Sequence, residues 1–390
     1  MDFAFTPEQL SFRQEVRDFL GGALTPEEWQ AIDDGAEGTY HNKAFSKKLA
    51  EKGWIGLSWP KEWGGQAISH MMRLIYSEEM ITSRAPIGYH FIAERQMGPS
   101  FMLNGTDEQK KRYVPGIANA DISFCIGYSE PGAGSDLAGL QTRAVADGDD
   151  YVINGSKIWT SGAHVADYIW LATRTDPDAP KHKGISVFVL PLNTPGVEIR
   201  PLISMDDDHG FNQIFFDNVR VPKSSMVGEE NQGWYVVASN LDFERSGIER
   251  IANNYKTYQQ LEKFVRENGE PGRANGTSQI ARHKLAEMAI DYNVGRLLTY
   301  RVAWQQSEGL VPNYEASMSK MYGCEASQRI ANHCEDILGL YGLFDVDQPR
   351  APLRGRVGKG FLRSVSNTIA GGTTEIQRNI IATRGLGLPR

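Results

Sequence analysis

The chain has 390 residues, 41% of them hydrophobic and 23% charged, and its formal net charge of -7 comes without a long basic run. These values are typical of a globular protein of roughly two to three domains, and they argue against a nucleic-acid groove. The three cysteines form no Cys-x-x-Cys pair and the eight histidines show no metal-binding spacing, while no apolar run approaches the ~18 residues that a membrane span needs.

The N-terminal third is predicted to be helical. It begins without the basic and apolar regions of an export signal, so a cytoplasmic protein is expected. Thr6-Pro7-Glu8-Gln9 combines an N-cap, a proline at the first helical position and a glutamine at N3, and Thr25-Pro26-Glu27-Glu28 begins a second helix. Further helices are predicted over residues 45–52, 69–82 and 107–117.

The middle third is predicted to be β-structure, because near Ile122 the apolar residues begin to alternate. The dipeptides Asp147-Gly148 and Asn154-Gly155 are strong hairpin signals. Strands are predicted over residues 122–126, 168–173, 185–190, 197–201 and 213–221. This pattern indicates a compact antiparallel barrel or sandwich.

The last third returns to helical spacing from Asn231. Four segments are predicted to be helices, over residues 234–266, 279–307, 313–340 and 374–384, which is the size of a helix bundle. The sequence therefore predicts an α+β multidomain fold. It consists of an N-terminal α-helical domain (residues 1–121), a middle antiparallel β-barrel domain (122–230) and a C-terminal four-helix bundle (231–390).

Three segments carry residue types suited to holding a flat or phosphorylated ligand. Ser129 to Asp136 reads Ser-Glu-Pro-Gly-Ala-Gly-Ser-Asp after a strand, and Lys157 to Gly162 reads Lys-Ile-Trp-Thr-Ser-Gly. Near the end, Gly371-Gly372 permits close backbone approach, and Thr374 with Gln377 forms a capping box that would start a helix. Each segment taken alone is better explained by a surface turn or a core aromatic.

In this order and within this α–β–α layout, the three segments resemble the acyl-CoA dehydrogenase family. The resemblance runs from Phe5-Thr6-Pro7-Glu8-Gln9 to Gly385-Leu386-Gly387. It implies FAD held between the β-domain and the C-terminal bundle. It also implies removal of an α-proton and a β-hydride from an acyl-CoA thioester, which leaves a trans-2-enoyl-CoA, with electrons passed to an electron-transfer flavoprotein.

The resemblance also implies the residues that contact the flavin. In the first two segments these are Ile126, Tyr128, Ser129, Gly134, Ser135, Trp159, Thr160 and Ser161. Thr373 and Glu375 follow in the third segment, and Gln279 aligns with a family glutamine. The residues 272–279 replace a family Arg-x-x-Phe-Gly segment, so the contacts to the FAD of a neighbouring subunit are expected to differ, with Arg273 and Arg282 as candidates for the missing arginine.

The position of the catalytic base departs from the commonest members of the family, which carry Glu where this chain has Gly371. Glu244 is the one charged residue on an apolar stripe with helical spacing, so it must be paired, protonated or functional. The stripe consists of Trp234, Val237, Leu241, Glu244, Ile248, Ile251, Tyr255 and Tyr258. A structural ion pair with a buried arginine is the alternative.

The segment around Glu244 supports the functional interpretation by resemblance. Asp242-Phe243-Glu244-Arg245 is similar to the Asp-Leu-Glu-Arg segment of the isovaleryl-CoA and long-chain branches, which place their base here. The resemblance implies Glu244 as the base. It implies Ser135, Asp242, Arg245, Gly371 and Gly372 as the residues that meet the substrate. A carboxylate base for a weakly acidic α-proton requires a desolvated pocket that raises its pKa.

The chain also resembles an actinobacterial subset that acts on CoA thioesters of steroid side chains and similar bulky groups. Some of that subset are α2β2 assemblies in which one chain type carries the base, so a homotetramer or an α2β2 heterotetramer is expected. A base on the long helix and the Gly-Gly pair leave space for a branched or bulky acyl group. The alternatives are an acyl-CoA oxidase or flavin monooxygenase on the same fold, and a subunit that binds FAD or CoA without turnover.

Overall fold

A computed structural model of the chain describes residues 4–35, 39–245, 247–269, 271, 278–346 and 348–389, with the side chains of residues 242–245 outside the description. The helices are α1 (Pro7–Ala23), α2 (Pro26–Asp33), α3 (Lys43–Glu51), α4 (His70–Thr82), α5 (Gly88–Ile92), α6 (Gly98–Asn104), α7 (Asp107–Ala118), α8 (Gly233–Arg245), α9 (Glu249–Asn268), α10 (Gln279–Ser307), α11 (Tyr314–Leu338), α12 (Arg356–Asn367) and α13 (Thr374–Ile380). The strands are β1 (Phe124–Gly127), β2 (Arg143–Asp147), β3 (Asp150–Lys157), β4 (Tyr168–Arg174), β5 (Ile185–Pro191), β6 (Val197–Leu202), β7 (Phe211–Pro222) and β8 (Met226–Val227).

The predicted order of helices, strands and helices is confirmed, and local capping explains where several helices begin. Thr6 and Thr25 are N-caps whose hydroxyls accept from the backbone N–H at N3. The side chains of Gln9 and Glu28 in turn accept from the backbone N–H of the N-cap residue. These reciprocal bonds satisfy backbone donors that the first helical turn leaves without partners. The helices α1 and α2 therefore begin where the sequence predicts.

The sheet follows the order β6-β7-β3-β2-β4-β5-β8, with β1 paired to β4. Most of the described pairings are antiparallel, as predicted, but β1 and β2 each pair with β4 in parallel. The predicted hairpin at Asp147-Gly148 is confirmed, since Asp147 lies opposite Asp150. The second predicted hairpin is wrong. Asn154 and Gly155 lie inside β3, where a register irregularity follows Ile153 and brings Gly155 opposite Phe216.

The last third also differs from the prediction in two places. The single helix predicted over residues 234–266 is two helices, α8 and α9, with the break around Gly247. Glycine disfavours a helix interior by about 1 kcal/mol, which is a local reason for the break. The helix α12 was not predicted, and it adds a further element to the expected four-helix bundle.

The described elements cluster into two compact units. The sheet unit contains α3, α5, α6, α7, the eight strands and α8 as far as Glu244. The helical unit contains α1, α2, α4 and α9 to α13. The N-terminal helices are thus divided between the two units, and the boundaries of the three predicted domains remain a prediction.

In the sheet unit, the strands β4 and β5 are buried on both faces. Alternate residues of β4 point to different cores: Trp170 packs with residues of α6, α7 and α8, whereas Ile169 and Leu171 pack with residues from β3 and β7. This alternation is the period of 2 expected of a strand. Full burial of one such large apolar side chain contributes about 1.5–3 kcal/mol. The packing of these two cores therefore holds the ends of the strands in place.

In the helical unit, α11 packs against α9, α10, α12 and α13. Gly295 allows α9 and α10 to approach closely, since a Cβ there would stand 2.8 Å from Cγ1 of Ile251. Among the described residues, no helix is long and apolar enough to cross a membrane.

Candidate active site

The end of β3 carries a β-bulge that reorients one aromatic side chain. Lys157 lies opposite Ile214, whereas Thr160 and Asn212 exchange two backbone hydrogen bonds of 3.0 and 3.1 Å. The chain advances three residues on one side and two on the other, so one extra residue is inserted. Trp159 lies in the bulge with φ 59°, a left-handed conformation that a residue with a Cβ seldom adopts.

This strained residue is displayed at the surface of the sheet unit. The Trp159 side chain is 59% exposed, and its ring meets Phe211 edge-on at a centroid distance of 6.0 Å. A left-handed conformation costs roughly 1–2 kcal/mol. Such strain, together with an exposed indole, indicates a functional position, because a purely structural tryptophan would gain more by burial.

A hydrogen bond connects the bulge after β3 to the loop that follows β1. The backbone N–H of Ile158 donates to the carbonyl of Ser129 at 2.9 Å. Within the loop, Glu130 and Ala133 exchange two backbone bonds of 3.0 Å, and a Cβ at Gly134 would meet no heavy atom within 4 Å. The first two predicted segments are therefore adjacent and present open backbone to a ligand.

Beneath the loop lies an ion pair that sequence analysis missed. The ammonium of Lys157 is fully buried and donates to Glu130 Oε1 at 2.7 Å and to the carbonyl of Tyr128 at 3.0 Å. Glu130 also accepts from the backbone N–H groups of Gln141 and Thr142, at 2.6 and 2.9 Å. This pair ties both segments to the core.

Burial and pairing act in opposite directions on the pKa values of this pair. Burial lowers the pKa of Lys157 to about 8, while the nearby Glu130 carboxylate opposes that change. Burial alone would raise the pKa of Glu130, but the Lys157 ammonium and the two backbone donors bring it below its usual value. We therefore assign a carboxylate and an ammonium near neutral pH, since each stabilises the charge of the other.

Thr160 has a buried polar group that a ligand could pair. The residue is 1% exposed, and its hydroxyl has no hydrogen-bond partner among the described residues. A buried polar group without a partner costs about 1–3 kcal/mol. Its position beside the exposed Trp159 ring fits a flat ligand with polar edges, and a flavin is such a ligand.

The other predicted flavin residues of the sheet unit are divided between surface and core. Gly134, Ser135 and Ser161 are exposed, and Ser129 is half-buried. Tyr128 and Ile126 instead belong to the core cluster under the sheet. Any contact from these two residues would therefore come mainly from the backbone.

In the helical unit, the Gly-Gly turn is held from below by two buried side chains. Gly371 and Gly372 both have left-handed backbones, with φ 66° and 82°. The Lys320 ammonium donates to the carbonyl of Gly372 at 2.6 Å, and Gln377 Nε2 donates to the carbonyls of Gly371 and Gly372 at 3.2 and 3.3 Å. Glycine is required here because a side chain would strain both positions.

The predicted capping box at Thr374 and Gln377 is wrong by one residue. The N-cap is Thr373, whose hydroxyl accepts from Ile376 N–H at 3.3 Å. Gln377 is buried and donates to the carbonyls of the glycine turn instead, and its Oε1 atom has no hydrogen-bond partner within the described part of the chain. The turn explains why no capping box forms at Thr374. The side-chain amide of Gln377 donates to the carbonyls of Gly371 and Gly372, so it does not bond to the helix N-terminus.

The remaining predicted contacts of the helical unit lie at the starts of helices. Glu375 is exposed in the first turn of α13, where its backbone N–H and the Thr373 hydroxyl lower the pKa of its carboxyl. Gln279 is exposed at the first position of α10, after the N-cap Ser278. Arg282 is exposed one helical turn later, and the other candidate arginine, Arg273, lies outside the described residues.

The predicted base is on a helical backbone whose preceding turns are anchored in the core. Val237 and Leu241 of α8 pack in the sheet-unit core, and Glu244 follows them at helical spacings of seven and three residues. The side chains of Asp242, Glu244 and Arg245 lie outside the described part of the chain, so their roles remain predictions. Among the described residues, no group of His, Cys, Asp and Glu side chains is arranged to hold a metal ion.

Comparisons with known proteins identify the family of the chain. Family models described as the N-terminal, middle and C-terminal domains of acyl-CoA dehydrogenase match residues 6–121, 125–219 and 231–386. Acyl-CoA dehydrogenase FadE26 of Mycobacterium tuberculosis is 37% identical over 100% of this chain and 99% of its own length. FadE29 of the same organism is 34% identical over 99% of this chain and 98% of its own length.

Solved structures give the same result. The "Tcur3481-Tcur3483 steroid ACAD" is 36% identical with a TM-score of 0.90 and covers 100% of both chains. The ChsE4-ChsE5 complex from Mycobacterium tuberculosis is 37% identical with a TM-score of 0.88, again over 100% of both chains. The chain is thus an enzyme with a flavin cofactor, and it belongs to the acyl-CoA dehydrogenase family.

Proposed function

We propose that this acyl-CoA dehydrogenase uses FAD to convert a branched or bulky acyl-CoA thioester to its trans-2-enoyl-CoA, with Glu244 as the base and an electron-transfer flavoprotein as acceptor. The observation that carries the flavin part of the proposal is the buried, unpartnered hydroxyl of Thr160 beside the exposed ring of Trp159. When bound, the flavin supplies the acceptor for the β-hydride.

The protein residues have two tasks toward this cofactor. In the sheet unit, the Trp159 ring would cover a face of the flavin while the Thr160 and Ser161 hydroxyls bond its polar edge. The open backbone at Gly134 and Ser135 would receive a phosphate-bearing part of FAD. The further proposed contacts are Ile126, Tyr128, Ser129, Gln279, Thr373 and Glu375.

Removal of the α-proton is assigned to Glu244. Its carboxylate would accept the proton once substrate binding has excluded water, because desolvation raises a carboxyl pKa toward the working pH. Gly371 has no side chain that could replace this base. The substrate contacts proposed here are Ser135, Asp242, Arg245, Gly371 and Gly372, with Arg245 suited to the negatively charged CoA.

The proposed bulky acyl group is supported by the absence of side chains at Gly371 and Gly372 and by the relatives. One solved structure at 36% identity is described as a steroid acyl-CoA dehydrogenase. A panel of CoA thioesters with straight, branched and polycyclic acyl groups, assayed with a dye acceptor, tests this proposal. We expect the highest kcat/KM among the branched and polycyclic thioesters. The highest value for a short straight chain would refute the substrate assignment.

The base is tested by Glu244→Gln, with Glu229→Gln as the control because Glu229 is exposed in the loop before α8. We expect Glu244→Gln to retain the yellow cofactor and to lose flavin bleaching by substrate. Glu229→Gln should bleach at the wild-type rate. Normal bleaching in Glu244→Gln would show that another group removes the proton.

A partner chain is a second part of the proposal. Two similar structures are titled as pairs of different chains, Tcur3481-Tcur3483 and ChsE4-ChsE5. We propose that this chain forms either a homotetramer or an α2β2 heterotetramer in which it carries the base. Purification alone and with co-expressed family members, followed by mass measurement in solution, distinguishes these two assemblies. An active monomer would contradict both.

A further inference from the structure

Asn212 holds the backbone of Thr160 from the neighbouring strand. Asn212 is fully buried at the start of β7. Its backbone exchanges two bonds with Thr160, and its side-chain Nδ2 donates a third bond to the Thr160 carbonyl at 3.1 Å. One carbonyl oxygen therefore accepts from both the backbone and the side chain of Asn212.

Two histidines also contact the side-chain amide of Asn212. His209 Nε2 lies 2.9 Å from Asn212 Oδ1, and His164 Nδ1 lies 3.1 Å from Asn212 Nδ2. The two imidazole rings are stacked with centroids 4.0 Å apart. The amide, both imidazoles and the Thr160 carbonyl form one connected network, which we call the Asn212 network.

The positions of the protons in this network follow from the donors and acceptors. Asn212 Nδ2 has two hydrogens, and the Thr160 carbonyl and His164 Nδ1 each accept one. His164 must therefore lack a proton on Nδ1, so it is neutral. Asn212 Oδ1 can only accept, so His209 must carry its proton on Nε2. Rotating the amide by 180° would place its oxygen against the Thr160 carbonyl and lose that bond.

Protonation of His164 would therefore act on Thr160. A proton on Nδ1 would place one donor against another, and either the imidazolium or the Asn212 amide must then move. His41 lies close enough to His164 that a positive charge on one imidazole disfavours a positive charge on the other. Burial is the main cause that lowers the pKa of His41, His164 lowers it further, and Asp208 acts in the opposite direction. A protonated His164 would therefore cost the network the hydrogen bond between Asn212 Nδ2 and His164 Nδ1.

We propose that Asn212 and neutral His164 are positioning residues that hold Thr160 for the flavin, so that protonation of His164 weakens flavin binding. This inference rests on the proposed contact of Thr160 with the flavin. Neither residue touches the cofactor in this scheme. Their effect passes through the Thr160 backbone, which places the unpartnered hydroxyl.

Two substitutions separate positioning from simple packing. In His164→Asn, the amide oxygen can accept from Asn212 Nδ2 as Nδ1 does, but it does not titrate. In Asn212→Leu, the third bond to Thr160 is lost and the volume is largely kept. His182→Asn is the control, because His182 is exposed and lies against Trp234 rather than in the network.

The measurement is the flavin dissociation constant of the purified enzyme, followed by fluorescence from about pH 8 to pH 5, a range that brackets the ordinary histidine pKa. We expect the wild type and His182→Asn to bind flavin roughly three- to tenfold more weakly at the acidic end, the size of effect expected for one lost hydrogen bond. His164→Asn should bind without this pH dependence. Asn212→Leu should bind about three- to tenfold more weakly at all pH values.

A second readout does not need the flavin. Hydrogen exchange in the peptide spanning residues 158–163 of the flavin-free protein reports on the Thr160 backbone directly. After correction for the intrinsic exchange rate, protection should fall at acidic pH in the wild type and not in His164→Asn. Equal pH dependence in these two proteins would overturn the proposal. A wild type that binds no flavin at pH 8 would instead contradict the proposed function, and the exchange data would still decide the role of the network.

Discussion

Each unit of the molecule buries a carboxylate among cations, and the two sites differ in what surrounds them. In the helical unit, Glu78 Oε1 accepts from Arg296 and from Tyr292 at 3.4 Å. Its Oε2 atom accepts from Arg13 at 2.9 Å, from Tyr300 at 2.6 Å and from Arg296 at 3.2 Å, so both oxygens have at least two donors. In the sheet unit, Glu130 is held by one ammonium and two backbone groups.

The difference lies in the next layer of residues. Around Glu78, the ring of Phe5 stacks under the Arg13 guanidinium at 4.5 Å, which adds a cation–π contact. Above Glu130 lie a strained tryptophan and the unpartnered Thr160 hydroxyl. Because backbone strain costs stability, the left-handed Trp159 persists where a ligand compensates for it. Glu78 with Arg13, Arg296 and Tyr300, which we call the Glu78 cluster, therefore stabilises the fold. The Glu130–Lys157 pair supports a binding surface.

The largest expected effect is the loss of the Glu78 carboxylate. Glu78→Leu leaves Arg296 partly buried without this counter-charge, and Arg13 keeps only its longer 3.4 Å contact with Glu79. We therefore expect the free energy of unfolding to fall by about 3–5 kcal/mol. Urea denaturation monitored by circular dichroism measures this change. Glu198→Gln is the control, because Glu198 and Arg200 form an exposed pair whose loss should leave the stability unchanged. A change equally small in both variants would refute the structural role of the cluster.

The second prediction concerns Lys157→Met, which leaves Glu130 buried without its ammonium. We expect a loss of about 3 kcal/mol, near the lower end for a broken buried pair, because two backbone donors remain. Unlike Glu78→Leu, this variant should also lose flavin, since the pair anchors both segments of the sheet unit that are predicted to contact the flavin. The ratio of visible to ultraviolet absorbance after purification measures flavin retention. If Lys157→Met kept its flavin and Glu78→Leu lost it, the assigned roles would be reversed.

The third prediction uses pH to examine the Glu78 cluster. Burial opposes the charged form of Glu78, but Arg296, Tyr300 and Arg13 lower its pKa below the ordinary value of 4.5. A folded-state pKa below the unfolded one means that the unfolded chain takes up protons first. The stabilisation is therefore complete above about pH 5 and is lost as the pH falls through the lowered pKa. Unfolding free energies measured from pH 6 downward should fall more steeply in the wild type than in Glu78→Gln.

Local signals in the sequence predict much of the fold and less of the site. Capping at Thr6 and Thr25 and the hairpin at Asp147-Gly148 depend on residues within a few positions, so the sequence pattern suffices. The bulge at Trp159 depends on which residue of β7 faces Thr160, and the Lys157–Glu130 pair joins residues 27 positions apart. Neither pairing has a local signature. A lysine within the predicted strand motif could have indicated a buried partner, but not which carboxylate.

The same reasoning explains why Asn212 and His164 were missed. Histidines without metal spacing carry no signal in the sequence, and Asn212 acts only because the bulge brings Thr160 opposite it. The break between α8 and α9 had a local cause in Gly247, but an unbroken apolar stripe across it favoured one long helix. The pattern of side chains was thus consistent with one long helix and with two shorter helices. The backbone preference of glycine favours the two helices that are observed.

The smallest expected effect gives the sharpest contrast, because binding and stability should change in opposite directions. Thr160→Val keeps the side-chain shape and removes the unpartnered hydroxyl, so the desolvation cost of that group disappears from the folded, flavin-free protein. We expect the free energy of unfolding without flavin to rise by up to about 1 kcal/mol. Flavin affinity should fall, since the bond that the hydroxyl would make is lost.

Thr160→Ser is the matched control, because it keeps the hydroxyl and should retain affinity. Calorimetric unfolding of the flavin-free proteins and flavin titration measure the two quantities. A Thr160→Val protein that is less stable and binds flavin normally would show that the hydroxyl has a partner within the protein, and the main observation behind the flavin assignment would be lost.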